Sequence, residues 1–337
     1  MDWFERVTGF REMDYARTRQ RLEVADGQLR STVNGRSHAT GHLELVSLHS
    51  LRDRLAAAGG LPGRLKVSVV TGNVRDMHSA PENMGALFQV ASQFNLLEMP
   101  SPSVTPEHGV TAYQHDGTQG PACAMAAGAA TIYRNYFAPV DGHEGQTSER
   151  QYNGLADMGS TLSAALAQPV DALWAMRNGY ALCTRAGLDA ISAHVLTLNP
   201  GQIDVLRGKL RIGVHSDVEV TDRPANNPIR VTQAFCSALP VAYGRVPAKH
   251  WTAFGTLILE ASYEATLWAA VLNAQRTGSN VVFLTRVGGG VFGNDPAWID
   301  AAMRRAFRLA RDFALDVRLV SYGEPSAALL KMAKEFG

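Results

Sequence analysis

The chain has 337 residues, with 32 Lys and Arg against 31 Asp and Glu and a formal charge of +1 at neutral pH. That length holds one large α/β domain or two smaller ones with ample core, and balanced charge implies neither nucleic acid nor an anionic membrane surface as a partner. The three cysteines, Cys123, Cys183 and Cys236, are odd in number without metal spacing, which predicts inert thiols in a reducing cytoplasm; the charged first residues and the lack of a long apolar run predict no secretory signal and no membrane span.

Strands alternate with helical segments, which predicts an α/β fold with a central sheet. Residues 1–64 read as an N-terminal extension, with a helix over 51–58 ended by Gly59 and Gly60. A strand over 65–71 runs into Gly72-Asn73-Val74, and another over 86–92 runs into Gln93-Phe94-Asn95. After a proline-rich loop over 100–106, residues 121–136 read as one alanine-rich helix, and 138–206 as a polar helical insertion. Residues 210–221 alternate. Ile212, Val214, Val218 and Val220 fall on one face, and His215, Asp217, Glu219 and Thr221 on the other. An edge strand with one wet face accounts for the pattern; so does an acid–base cluster, with Asp222 just beyond it. The residues alone leave both open. Residues 252–276 form a long helix stopped by Gly278, with Glu260 and Glu264 on the side of Leu257, Leu267 and Val271. An unpaired acid on an apolar stripe costs on the order of several kcal/mol, so arginine partners are expected, with a catalytic role as the alternative.

Residues 280–287 form an apolar strand that breaks into Gly288-Gly-Gly290-Val-Phe-Gly293 and then enters a helix. Asn294 or Asp295 suits the N-cap and Pro296 the first turn. Uncovered N–H groups at the positive end of a helix bind phosphate or diphosphate without a cationic side chain. The run also fits the G-x-G-x-x-G dinucleotide fingerprint. Only residues 294–337 follow it, too few for a nicotinamide domain, and the loop has no Walker lysine.

Gly72-Asn73-Val74 after a strand, Asn95 after a second, Gly117-Thr-Gln-Gly120 before an alanine helix and the final glycine loop occur in macrodomain order. With residues 89–98, 178–180 and 259–267, the chain resembles the divergent MavL-type ADP-ribosylhydrolases of the macrodomain superfamily over most of its length. The resemblance implies a macrodomain-like mixed central sheet flanked by helices over residues 65–337. It implies ADP-ribose held by Asn73, Val74, Asp76, Gln89, Ser92, Asn95, Gln119, Gly120, Gly288, Gly289, Gly290, Val291, Phe292, Gly293 and Asn294. Asn73 replaces the aspartate that commonly contacts adenine, with Asp76 as a substitute, and Gln119-Gly120-Pro121 replaces a triple glycine. The implied activity is hydrolysis of mono-ADP-ribose from a modified protein, with arginine as the linkage. Asp217, Glu219 and Asp222 are the expected catalytic acids, and no metal or cofactor is called for. A reader module without turnover, or an NAD(P)-dependent enzyme using the glycine loop, are the other classes.

Overall fold

The computed structural model describes residues 1–223 and 227–337. Seven strands build a central sheet: β1 (His42–Ser47), β2 (Lys66–Thr71), β3 (Leu87–Ala91), β4 (Arg211–Glu219), β5 (Arg230–Cys236), β6 (Val281–Leu284) and β7 (Asp316–Ser321). Their spatial order is β1-β4-β5-β3-β6-β7-β2. β4 runs antiparallel to both β1 and β5, while β5, β3, β6, β7 and β2 are parallel neighbours. Strands covered on both faces need apolar residues on both. Leu87, Phe88 and Val90 in β3 and Val282, Phe283 and Leu284 in β6 meet that need; all are buried.

Helices cover both faces, so the fold is mixed α/β in three layers: α1 (Leu48–Ala58), α2 (Val74–Ser79), α3 (Gln119–Ala126), α4 (Gly128–Tyr136), α5 (Ala248–Thr277) and α6 (Pro296–Leu309). α5 has 30 residues, a length of about 45 Å, and is stopped by left-handed Gly278 as expected. It packs with α1 and α6 on one face, where Leu51, Phe254, Ile258, Val271 and Phe307 share a core with Ile212 and Val317. On the other face Val74, Cys123 and Ala130 meet Phe88, Phe235 and Val231. Glu264 is buried, and its carboxylate accepts from Arg52 Nε at 2.6 Å, Arg305 Nη1 at 2.6 Å and Trp268 Nε1 at 3.0 Å. Glu260 pairs with Arg207 at 2.6 Å. The arginine-paired reading of these two acids holds.

Two sequence expectations are corrected. The helix expected over 121–136 is two, broken at Ala127 (φ −112, ψ 58), so that the Gly128 N–H donates to Thr221 Oγ1 at 2.8 Å. A Cβ at Gly128 would stand 3.0 Å from the Trp3 ring, so the break needs glycine. The alternation of β4 does not run through: the register shifts between His215 and Val218, and Asp217 is left-handed with φ 57. This bulge turns the strand over. Ile212 and Val214 face the α5 layer, Val218 and Val220 face the other, and His215 is buried rather than wet.

Residues 1–64, expected as an extension packed on the domain, also take part in its sheet. They supply its edge strand β1 and the helix α1, while Trp3, Phe4 and Leu29 pack against Leu97, Tyr113 and Tyr136. Residues 138–206, expected as a helical insertion, contain the hairpin Trp174–Arg177/Tyr180–Cys183 as well as helices, and send Met158, Trp174 and Leu188 into the α5-side core. Cys123 and Cys236 are buried and Cys183 half-buried, all three as free thiols. Among the described residues no helix is long and apolar enough to cross a membrane.

Candidate active site

Parallel strands carry ligands at their carboxyl ends, and that end of this sheet holds a cleft of about 340 Å³, inside the range of small-molecule sites. Its floor is made by Ala91 at the end of β3 with Ser92 beyond it, Ala238 after β5, and residues 285–288 and 290–292 after β6. Asp116, the amino end of α3 and the segment 98–100 form one wall, and Tyr180 and Tyr243 form the other.

The glycine loop behaves as its sequence suggests. It runs from β6 into α6, whose N-cap is Asp295, accepting from the Ala297 N–H at 2.8 Å, with Pro296 in the first turn. Within the loop the N–H groups of Gly289, Gly293 and Asn294 donate to the carbonyls of Arg286, Gly290 and Gly288 at 2.9–3.0 Å. The N–H groups of Gly288, Gly290, Val291 and Phe292 find no acceptor among the described residues, and these four residues line the cleft. Gly288 needs its glycine: with φ 77, a Cβ would lie 2.5 Å from that of Ala238. Gly290, which lines the cleft, has no heavy atom within 4 Å of its missing Cβ, so a side chain there would enter open space. Gly289, Gly293 and Asn294 shape the loop from behind; the Asn294 side chain donates to the Leu239 carbonyl at 2.8 Å.

Two further features flank this row. Arg286, ion-paired to Asp300 and donating to the Pro296 carbonyl at 3.3 Å, places a fixed cation beside it. Phe292, Tyr180 and Tyr243 pack as a trio with ring centroids 5.1–5.5 Å apart.

Across the cleft stands a carboxyl that the expected site did not include. Glu98 is 3 % exposed and its Oε1 is buried without a partner. Its backbone N–H donates to Tyr113 Oη at 3.0 Å. Burial pushes the Glu98 carboxyl well above the usual carboxylate range; the Arg134 charge opposes the rise and the nearby Asp116 adds to it. Gly120 is what lets α3 approach this acid, because a Cβ there would overlap the Ala91 carbonyl and the Glu98 carboxylate. The amino end of α3 lacks a side-chain cap, and Thr118, Gln119 and Gly120 there line the cleft. Gln119 lines the wall, with Oε1 accepting from the Ala91 N–H and Nε2 donating to the Gln89 carbonyl.

The remaining expected residues lie elsewhere. Gln89 sits beneath the floor, donating to Thr266 Oγ1 at 2.9 Å. Asn95 is fully buried, closing its own turn by accepting from the Leu97 N–H at 3.1 Å and donating to Gln151 Oε1 at 2.8 Å. Val74 belongs to the core. Asn73 caps α2, and with Asp76 it borders a second, wider depression shared with Asp222 and Arg75.

The three expected catalytic acids lie away from the cleft. Glu219 pairs with Arg230, the first residue of β5, whereas the cleft follows its last residue, Cys236; these acids therefore sit at the opposite end of the sheet. Asp217 is exposed and paired with Arg276. Glu219 is held by His38 at 2.7 Å and by the Ala39 N–H at 2.8 Å, and Asp222 by Arg75 and Arg6.

The sequence signal for Glu98 was a lone acid inside the apolar run Phe94-Asn-Leu-Leu-Glu98-Met99-Pro100. Such an acid is buried by its neighbours, and buried acids gather at functional sites.

No family model matches the chain, and no curated protein matches it. Among solved structures, the chain is similar to the poly(ADP-ribose) glycohydrolase of Thermomonospora curvata bound to the inhibitor ADP-HPD. The identity is 14 %, the coverage 94 % of this chain and 92 % of that one, and the TM-score 0.43. It is also similar to the poly(ADP-ribose) glycohydrolase of Deinococcus radiodurans in complex with ADP-ribose, at 11 % identity, with 88 % of this chain and 95 % of that one covered and a TM-score of 0.46.

Proposed function

We propose that this chain is a macrodomain-like ADP-ribosylhydrolase that binds ADP-ribose in the cleft and releases mono-ADP-ribose from arginine side chains of modified proteins. One observation carries the reading. The four loop residues whose N–H groups lack an acceptor are the four that line the cleft, and a buried carboxyl, Glu98, faces the same space. A row of free N–H groups at a helix entry suits a diphosphate, and Arg286 beside it adds a fixed positive charge. The aromatic trio offers a flat apolar face to a base or sugar.

The chemistry follows from the proton on Glu98. Cleaving a glycosidic bond passes through an oxocarbenium-like state and needs a proton for the departing group and a base for water. A carboxyl kept protonated by burial supplies the first and, once ionised, serves as the second. As the bond from the anomeric carbon to the guanidine nitrogen breaks, the Glu98 proton passes to the leaving guanidine. Water then adds to the anomeric carbon and returns a proton to the Glu98 carboxylate. Asp116 is the second acid in the cleft, and its carboxylate suits a guanidinium. The arginine linkage rests on that second acid and on the family resemblance of the sequence.

A linkage panel tests the proposal: peptides bearing ADP-ribose on arginine, serine or an acidic side chain, with release followed by mass spectrometry. Release from the arginine peptide is expected. ADP-ribose binding without release from any linkage would leave a reader module, and calorimetric binding of NAD in preference to ADP-ribose would favour the nicotinamide class.

A further inference from the structure

Leu96 stands two residues before Glu98 with φ 66, a left-handed conformation that a leucine adopts only under compulsion. Two features hold it there. Gly213 on β4 leaves the space that the Leu96 side chain fills; a Cβ on Gly213 would lie 2.7 Å from Leu96 Cδ1. On the other side Arg134 Nε donates to the Leu96 carbonyl at 3.2 Å.

Arg134 is itself unusual. It is fully buried on α4, and no carboxylate among the described residues pairs with it. Its Nη2 donates to Thr131 Oγ1 at 3.0 Å, its Nη1 lies 3.4 Å from His215 Nδ1, and its guanidinium stacks over the Phe235 ring at 4.0 Å. A buried charge is expensive unless something needs it. We propose that Arg134 is a positioning residue of the cleft: by clamping the Leu96 carbonyl it locks the left-handed turn and so aims the Glu98 carboxyl at the bond to be broken. The inference rests on the reading of Glu98 as the proton-transferring group.

The surrounding charges agree. The ionisable groups facing Glu98 are Asp116, Arg134, Tyr113, Cys123 and Tyr180. Burial holds Tyr113, Cys123 and Tyr180 protonated and neutral, and burial keeps His215 neutral beside Arg134. Arg134 is therefore the cation that restrains the rise of the Glu98 carboxyl. Removing its charge raises that carboxyl further and moves its titration to higher pH.

The test uses the full chain and an ADP-ribosyl-arginine peptide. Arg134→Lys keeps the charge but loses the guanidinium grip on the Leu96 carbonyl. We expect kcat to fall about tenfold with KM within about twofold, since the misaim is felt in the transition state, and the pH limb of kcat/KM assigned to Glu98 to stay in place. Arg134→Met should lower kcat further and shift that limb to higher pH as the cation near Glu98 is lost, whereas a merely structural arginine would leave kcat unchanged in the folded Arg134→Lys protein. If Arg134→Met does not fold, the split between kcat and KM in Arg134→Lys decides alone. Wild-type kcat in Arg134→Lys, or a change confined to KM, overturns the proposal. Full activity in Glu98→Gln would instead overturn the reading of the cleft, so the two failures are distinct.

Discussion

Replacing Glu98 with glutamine probes the cleft most directly, because structure and chemistry demand opposite responses. Glu98 Oε1 is buried without a partner, so the isosteric amide forfeits no hydrogen bond at that atom. Its backbone N–H still donates to Tyr113, and the volume against Gly120 is unchanged. Stability should therefore hold, and its pH dependence should improve. The sign follows from linkage. The folded-state carboxyl lies well above its ordinary value of 4.5, so the native state binds this proton more tightly than the unfolded chain. The associated stability is fully present below the unfolded value and is lost as pH rises through the higher folded one. Glu98→Gln does not ionise, so its melting temperature should match the wild type at about pH 4 and exceed it at about pH 9. Activity should move the other way. Loss of a general acid lowers turnover about 10²–10⁴-fold, or about 3–5 kcal/mol of barrier, while affinity for ADP-ribose stays within about threefold. Product release by mass spectrometry, calorimetry with ADP-ribose and melting curves at the two pH values give all three quantities. Full turnover in a folded Glu98→Gln protein would refute the reasoning, and lost binding together with lost fold would make Glu98 structural.

Other substitutions separate cleft from scaffold. Gly290→Val should fold normally and weaken ADP-ribose binding by at least about 100-fold in calorimetry, because its side chain enters space that nothing occupies within 4 Å; unchanged affinity would remove the loop from the site. Gly288→Ala should instead destabilise the fold by about 1–3 kcal/mol in denaturant melts, since φ is 77 and the Ala238 Cβ would be 2.5 Å away. Asp217→Asn should be silent in both binding and hydrolysis, its exposed pair with Arg276 contributing about 0–1 kcal/mol; lost hydrolysis would return the strand acids to the mechanism. Glu264→Gln should lower stability by about 1–3 kcal/mol, because Arg52 and Arg305 lose the buried carboxylate they share and keep only Asp204 as an acidic partner, and affinity for ADP-ribose in the folded protein should not change.

Much of the architecture was legible in the sequence because it follows from local rules. The apolar runs of β3 and β6, the glycine stop at Gly278, and Asp295 with Pro296 at the start of α6 are written in a few adjacent residues. The same holds for the glycine loop, whose cleft-facing N–H groups depend on backbone geometry that glycine itself permits. What escaped were features set by distant partners. Gly128 beside Ala127 permits the break between α3 and α4 but does not dictate it; the break is fixed by Thr221 and Trp3, which are remote in the chain. The edge strand β1 reads as part of an extension because its membership of the sheet depends on pairing with β4, more than 160 residues away.

The acids of β4 show how one residue changes where a strand's side chains fall. Strict alternation from 210 to 221 would have carried His215, Asp217 and Glu219 on a single face, a dense acid–base cluster. A left-handed Asp217 interrupts that period, burying His215 against Arg134 and leaving Asp217 to an exposed arginine. Whether a strand bulges cannot be read from its own residues when the bulge is settled by what packs on either side; here the α5 layer takes Ile212 and Val214, and the opposite layer takes Val218 and Val220. The acid that does reach the cleft had a different signature: no cluster, no alternation, only one carboxyl within an apolar run. A charge the chain cannot leave in water is held in place by the fold around it. Here that fold includes a left-handed leucine and a buried arginine that donates to its carbonyl, two unfavourable choices placed together in the turn that leads to Glu98.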